Sequence, residues 1–348
     1  MHDIAEGIVP LTVQLVLSHY YKQKELGMTT DYINQRIHLF AYGYVDKKNR
    51  PSANFTDEML SKPAAYRLKQ TASQNLLLLR AFPFLFGHKV PADCEYMCMI
   101  GHLINISRIL MSTIVSDHML GSLEEHVKLY EGLFYKTFKR RINKNHHLDH
   151  YVYCIQQSGN MKQFNCLVYE QKNKPLKSQS STCKNFKNIC KSLAKRQTFK
   201  MVTDILDNPF TDKIVYGPGS IVARNNCRAE KFLHENVSHV FVPKRVSVNG
   251  VEFRRNLIVC LKNINDEYYP SYAIIIEIIV IDSKLHFLVK ICNTESYDDF
   301  LQAYEVSVDS SERLFNTENV HLHSTFSFWS AYGSARKYIS RRNYNRDY

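Results

Sequence analysis

Tyr272-Ala-Ile-Ile-Ile-Glu-Ile-Ile-Val-Ile-Asp-Ser-Lys-Leu-His-Phe-Leu-Val-Lys-Ile-Cys292 is the run that decides the fold class. Residues 272–281 and 285–292 are dominated by β-branched and aromatic side chains. They flank Asp282-Ser283-Lys284, which reads as a hairpin turn. Just upstream, Val246, Val248, Val251 and Phe253 surround Asn249-Gly250, a pair suited to the left-handed positions of a tight hairpin. Residues 257–262 and 303–308 read as further strands. From residue 238 the apolar period is therefore two, and five or six short strands fall within about 70 residues. That spacing predicts a small antiparallel, SH3-like β-barrel over 238–310.

Before that point the period is different. Segments 8–22, 30–39, 72–82, 94–119 and 122–140 place apolar residues three and four apart, as helices do. Ser122-Leu-Glu-Glu125 reads as a capping box opening the last of them. Pro83, Gly87 and Pro91 read as breaks. Residues 43–65 read as a loop-rich connection, and residues 171–182 have loop composition. The fold class expected is α+β. A helical domain covers 1–142, a basic helical connection 143–205, a linker 206–237, the barrel 238–310, and a basic C-terminal tail 311–348.

The formal net charge of +12 is unevenly placed. Residues 131–200 carry 15 Lys and Arg against 3 Asp and Glu, while 201–332 carry 12 against 17. Such a concentration fits a surface for a polyanion better than a charge spread for solubility. The sharpest part is a helix expected over roughly 183–200. Lys184, Lys187, Lys191 and Lys195 form one stripe there, and Phe186, Ile189, Cys190 and Leu193 fall opposite, where they can pack. Lys172, Lys174 and Lys177 precede it. Aromatic rings interleaved with these cations, Phe199 among them, could stack on exposed bases; the competing reading makes the rings core, which suits Tyr169 and Phe186 better.

No run of 18 apolar residues is present, so no membrane-spanning helix is expected. Asp3 and Glu6 stand where a signal peptide has cations, so secretion is not expected. Nine cysteines without a Cys-x-x-Cys pair read as free thiols of a reducing, nuclear or cytoplasmic compartment. His146 and His150 share a helix face, a spacing that can hold zinc, but zinc wants three or four protein ligands and no second cluster has matching spacing. No metal and no cofactor are expected.

Several blocks, in order along nearly the whole chain, resemble the C-terminal part of animal transposon-derived proteins related to CACTA (En/Spm-like) DNA transposases. Met1-His2-Asp3-Ile4-Ala5-Glu6-Gly7 matches the family's Met-His-Asp-x-x-Glu-Gly, and Leu68-Lys69-Gln70-Thr71-Ala72-Ser73 is similar to its Leu-Lys-Met-Ser-Ala-Ser. His146-His147-Leu148-Asp149-His150-Tyr151 resembles its His-His-Phe-x-x-His-Tyr-Pro. Asn185-Phe186-Lys187-Asn188-Ile189 matches its Asn-Phe-Lys-Asn-Ile, with Leu193-Ala194-Lys195 following. Val248–Phe253, Glu277–Ile281 and Ala303–Val306 resemble its terminal β module. Val168-Tyr169-Glu170-Gln171-Lys172-Asn173-Lys174 is similar to a further block, with Val168 for the family's arginine and Asn173 for its histidine.

The resemblance implies a DDE nuclease with an RNase-H-like core, using Mg²⁺ or Mn²⁺, for complete members only. Here it begins at the late Met-His-Asp block, so the first two catalytic aspartates are expected to be absent and His2, Asp3 and Glu6 are at most a remnant near the last acid. The function expected is that of a truncated, transposase-derived protein, not an enzyme, that binds DNA through Lys172, Lys174, Lys177, Lys184, Lys187, Lys191 and Lys195. The alternatives are an interaction module with a protein partner at the barrel, a decayed copy, and a nuclease fragment completed by an upstream polypeptide.

Overall fold

The computed structural model describes residues 2–163, 166–183, 187–206, 213–262 and 269–343, and of 166–172, 174, 183 and 204 the backbone alone. Helices come first: α1 (Val9–Lys22), α2 (Thr30–Leu39), α3 (Gly43–Asp46), α4 (Asp57–Ser61), α5 (Ala72–Phe86), α6 (Glu95–Leu110), α7 (Asp117–Phe138), α8 (Asn143–Ser158), α9 (Cys166–Cys183) and α10 (Ile189–Leu206). The protein is α+β, with a helical N-terminal part followed by antiparallel sheets.

α5 is apolar on nearly every side, which fits a helix buried all round. Leu77, Leu78, Phe82, Phe84, Leu85 and Phe86 all lie in the core that α1, α6, α7 and α8 share. It opens with a capping box in which Thr71 Oγ1 accepts from the Gln74 amide at 3.3 Å and Gln74 Oε1 accepts from the Thr71 amide at 2.9 Å. Pro83 does not break it. A proline removes one helical amide, and buried Phe82 and Phe84 hold the turn on either side.

The helix expected over 94–119 ends at Leu110, and Ile114 is exposed. α7 starts one and a half turns before the expected Ser122 cap. Ser116 caps it instead, accepting from the Met119 amide at 3.4 Å, because the buried face already begins at Leu120 and Leu123. Residues 171–182 are helical rather than loop, within α9 and through Pro175.

α6 and α7 lie side by side, and between them His102 Nδ1 and His126 Nδ1 stand 3.0 Å apart. Burial lowers both pKa values; His126 lowers that of His102 further, and Glu125 opposes the shift in each. The unfolded chain therefore binds protons more readily than the folded one, and stability falls as pH drops from about 6.5 through the folded values. Urea midpoints at pH 7.5 and pH 5.5 should differ in the wild type, and a His102→Gln/His126→Gln variant should narrow that gap; an unchanged gap refutes the assignment.

The strands are β1 (Ile214–Tyr216), β2 (Gly219–Ala223), β3 (His239–Pro243), β4 (Arg245–Val248), β5 (Val251–Arg254), β6 (Ile258–Cys260), β7 (Tyr272–Ile281), β8 (Lys284–Asp298), β9 (Ala303–Asn316) and β10 (Lys337–Ile339). Both expected hairpins form. Val248 pairs with Val251 around Asn249 and Gly250, whose φ values are 51° and 82°. Ile281 pairs with Lys284 around Asp282 and Ser283, at 47° and 64°. Positive φ at both central residues is the two-residue turn that matches strand twist.

The expected barrel is not found among the described residues. The strands make a three-stranded sheet, β1-β4-β5, and a seven-stranded one in the order β10-β9-β8-β7-β3-β2 with β6 also on β7. β-Bulges bend the long β7–β8–β9 ribbon. The ends of the sheet, β10 and β2, nevertheless pair with β9 and β3 and not with each other, so no closed barrel is present among the described residues.

β10 instead lies against the helices. Leu301, Ala303, Trp329 and Tyr338 belong to the same core as α1 and α5. Trp329, the one tryptophan of the chain, is 2% exposed. Its Nε1 donates to the Tyr42 carbonyl at 3.2 Å, and its ring meets Phe40 and Phe84 edge-on at 5.4 and 5.3 Å. The stretch expected as a tail from 311 thus takes a different course: β9 runs on to Asn316, and 320–343 joins the helices to the sheet. The expected linker 206–237 contains β1 and β2.

Candidate functional site

The two histidine-bearing blocks, 144 residues apart, meet in space. A π-helical turn, Ile4–Ile8, leads into α1 and carries the N-terminal block. Within it His2 Nδ1 lies 2.8 Å from Glu6 Oε2. Asp3 turns the other way, its Oδ2 3.0 Å from His147 Nδ1 and its Oδ1 3.9 Å from Lys144 Nζ. The Lys144 side chain lies over Gly7, where a Cβ would stand 2.5 Å from Lys144 Cδ. Tyr151 is buried below the pair, and burial first, then the Asp3 carboxylate, pushes its hydroxyl up to about 12.

A carboxylate beside one imidazole nitrogen fixes that ring's tautomer, which is an acid–base arrangement. His2, Asp3 and Glu6 divide between two separate pairings. His146 and His150 do share a face of α8, with Nε2 atoms 3.1 Å apart, and Asp149 Oδ2 is 3.6 Å from His146 Nδ1. Among the described residues, no group of three or more His, Cys, Asp and Glu is placed to hold a metal ion.

Lys177 is exposed on α9, and Lys187, Lys191 and Lys195 are exposed just before and along α10. Lys172 and Lys174 lie on the α9 backbone, their side chains outside the described residues, and Lys184 lies outside them altogether. The opposite side of α10 buries little: Ile189 and Leu193 are half-buried, Cys190 is exposed, and Phe186 lies outside the described residues. The lysine face continues into Phe199, Val202, Ile205 and Leu206, exposed by 71%, 47%, 63% and 77%. At helical spacing these extend the same stripe, so one side of α10 is cationic and then apolar, and both parts face solvent.

Sequence reasoning missed a third constellation. A cavity of about 350 Å³ lies where α5 and α6 meet the C-terminal segment. Arg80, Arg108, Lys162, Arg341 and Arg342 line it, against the single carboxylate of Asp46. Arg80 Nη2 and Arg342 Nη2 each lie 2.6 Å from Asp46 Oδ1. Arg108 donates to the carbonyls of Arg341 at 3.1 Å and Gln302 at 2.5 Å, and to Tyr297 Oη at 3.1 Å. Arg341 Nε donates to Tyr272 Oη at 2.7 Å. The signal was present in the sequence, since Arg80 and Arg108 are lone cations inside apolar helices and a buried arginine needs a purpose-built surrounding.

Compared with family models, curated proteins and solved structures, the chain finds no match.

Proposed function

We propose that this chain is a transposase-derived protein without nuclease activity of its own, and that it binds nucleic acid through the lysine-bearing sides of α9 and α10. The observation that carries this reading is the exposure of Lys177, Lys187, Lys191 and Lys195 on a helix pair whose described side chains take little part in the core. Cations held at a surface release condensed counterions when they meet phosphates, and that release drives non-specific binding. Phe199, exposed between Lys195 and Lys200, offers a flat face on which an unpaired base can stack. Arg196 and Lys200 add to the same field, and Asp204 is the one carboxylate on α10.

A second reading has its own observation. β2 ends the large sheet with Ile221 73% exposed, an edge to which a partner's strand could add. The reading as an intracellular protein, nuclear or cytoplasmic, rests on nine cysteines without a Cys-x-x-Cys pair; no helix among the described residues is long and apolar enough to cross a membrane.

Titration of labelled single-stranded and duplex DNA separates the two readings. If about six to ten phosphates are neutralised, affinity should fall roughly 10³–10⁵-fold between about 50 and 200 mM salt. A flat salt response refutes the nucleic-acid reading.

A further inference from the structure

The cavity between α5, α6 and the C-terminal segment is a built site that the surface lysines have no part in. Five cationic residues and one carboxylate line it; the Arg108 and Arg341 guanidinium groups are held by carbonyls, Tyr272 and Cys260, which leaves Arg80, Arg342 and Lys162 to face an anion. That carboxylate is already engaged by two guanidinium groups, through Arg80 Nη2 and through Arg342 Nε and Nη2. Lys162 forms no ion pair among the described residues, and burial alone pulls its pKa down. Its position is fixed by the turn before α9. Asn160 Nδ2 donates to the Ser112 carbonyl just past α6, and Asn160 Oδ1 accepts from the Lys162 amide at 2.7 Å. Ser107 also lines the cavity, is 7% exposed, and its buried hydroxyl has no hydrogen-bond partner.

Cations converging on one space repel each other, and the folded protein bears that cost unless an anion enters. Guanidinium forks match the paired oxygens of phosphate and carboxylate groups alike. Two features narrow the choice. The excess of lining cations over Asp46 calls for several charges on one small molecule, and Leu76, Leu77, Ile104 and Met111 supply an apolar wall beside them. The volume lies at the lower end of small-molecule pockets.

We infer that this cavity binds a small polyphosphate, of the di- or triphosphate class, with Arg80, Lys162 and Arg342 around its oxygens and the Ser107 hydroxyl donating to it. An organic group on the phosphate, such as a nucleoside, would lie on the apolar wall.

The test uses the full chain without divalent metal, with inorganic pyrophosphate, ATP and citrate as separate probes in thermal unfolding and calorimetry. Pyrophosphate and ATP should each raise Tm by roughly 4 °C at about a hundredfold excess over Kd, since a ligand that binds only the folded state stabilises by mass action. ATP tighter than pyrophosphate marks a nucleotide as the source; equal affinity marks the phosphates alone. Lys162→Gln removes one charge-assisted contact and should weaken binding about tenfold or more. It leaves the Arg–Asp46 pairs intact, so the unliganded variant should unfold at or above the wild-type Tm. A variant with Lys177, Lys187, Lys191 and Lys195 changed to Glu should bind pyrophosphate normally, which separates this site from the nucleic-acid surface. The inference is overturned if neither phosphate probe binds at millimolar concentration, if Lys162→Gln binds as the wild type does, or if citrate binds as tightly as pyrophosphate.

Discussion

Replacing Asp46 by asparagine should destabilise the protein by about 3–5 kcal/mol, although the side chain keeps its size. The Asp46 side chain is 9% exposed and lies between Arg80, whose side chain is 8% exposed, and Arg342. Asparagine can still accept a hydrogen bond from either, but it carries no charge. Arg80, little exposed, would then keep the Ser340 carbonyl at 3.5 Å and the Trp329 ring at 4.7 Å but no carboxylate. Removing one member of a buried ion pair leaves the other uncompensated, and this cost exceeds what the intact pair contributes over an apolar replacement. The pairing also joins α3 to the last segment of the chain, because Arg342 Nη2 donates to the Val45 carbonyl at 2.9 Å as well. The loss should therefore loosen the seam on which Trp329 and Tyr338 pack.

The same pair sets an acid limit. Burial pushes the Asp46 carboxyl up, and Arg80 and Arg342 more than offset it, so the net shift is downward. The stability this group confers is complete above the ordinary carboxylate range, near pH 4, and is lost as pH falls through the folded value. Urea unfolding at pH 7 and pH 3.5 measures both effects. Wild type should lose stability between the two, and Asp46→Asn should start lower and lose less. A variant within about 1 kcal/mol of wild type at pH 7 would show that solvent reaches Arg80.

Where the sequence spoke plainly, the signal was local. Asn249-Gly250 and Asp282-Ser283 set the two hairpins because only a left-handed pair of residues turns the chain in that space. The helices α1, α2, α5 and α7 followed from three-and-four spacing. Closure of the sheet was not legible, since it depends on which distant strand each edge meets. β10 is held against the helices through Tyr338, and no period-two pattern encodes that choice. The loop reading of 171–182 rested on polar composition, yet the described side chains of α9 are exposed or half-buried, and a helix at the surface needs no apolar stripe to betray it. The meeting of Asp3 with His147 was equally invisible across 144 residues, whereas Arg80 and Arg108 stood out as charges in apolar helices and could have been followed.

Changing Lys177, Lys187, Lys191 and Lys195 together to glutamate should lower nucleic-acid affinity by at least about 10³-fold while leaving the fold intact. Each lysine that meets a phosphate contributes about one to the slope of log affinity against log salt, so four removed contacts flatten that slope by roughly four. Reversal adds repulsion where attraction stood, so the variant should fall below what neutral glutamine gives at the same positions. The fold should survive because all four side chains are exposed and substitutions at such positions usually stay within about 0.5 kcal/mol. Thermal unfolding and far-UV circular dichroism check that separately from binding. Phe199→Ala isolates the stacking contribution: it should weaken single-stranded binding by about 1–3 kcal/mol, leave duplex binding nearly unchanged, and keep the salt slope. A reversed-charge variant that binds DNA as tightly as wild type at every salt concentration would place the polyanion surface somewhere other than α9 and α10.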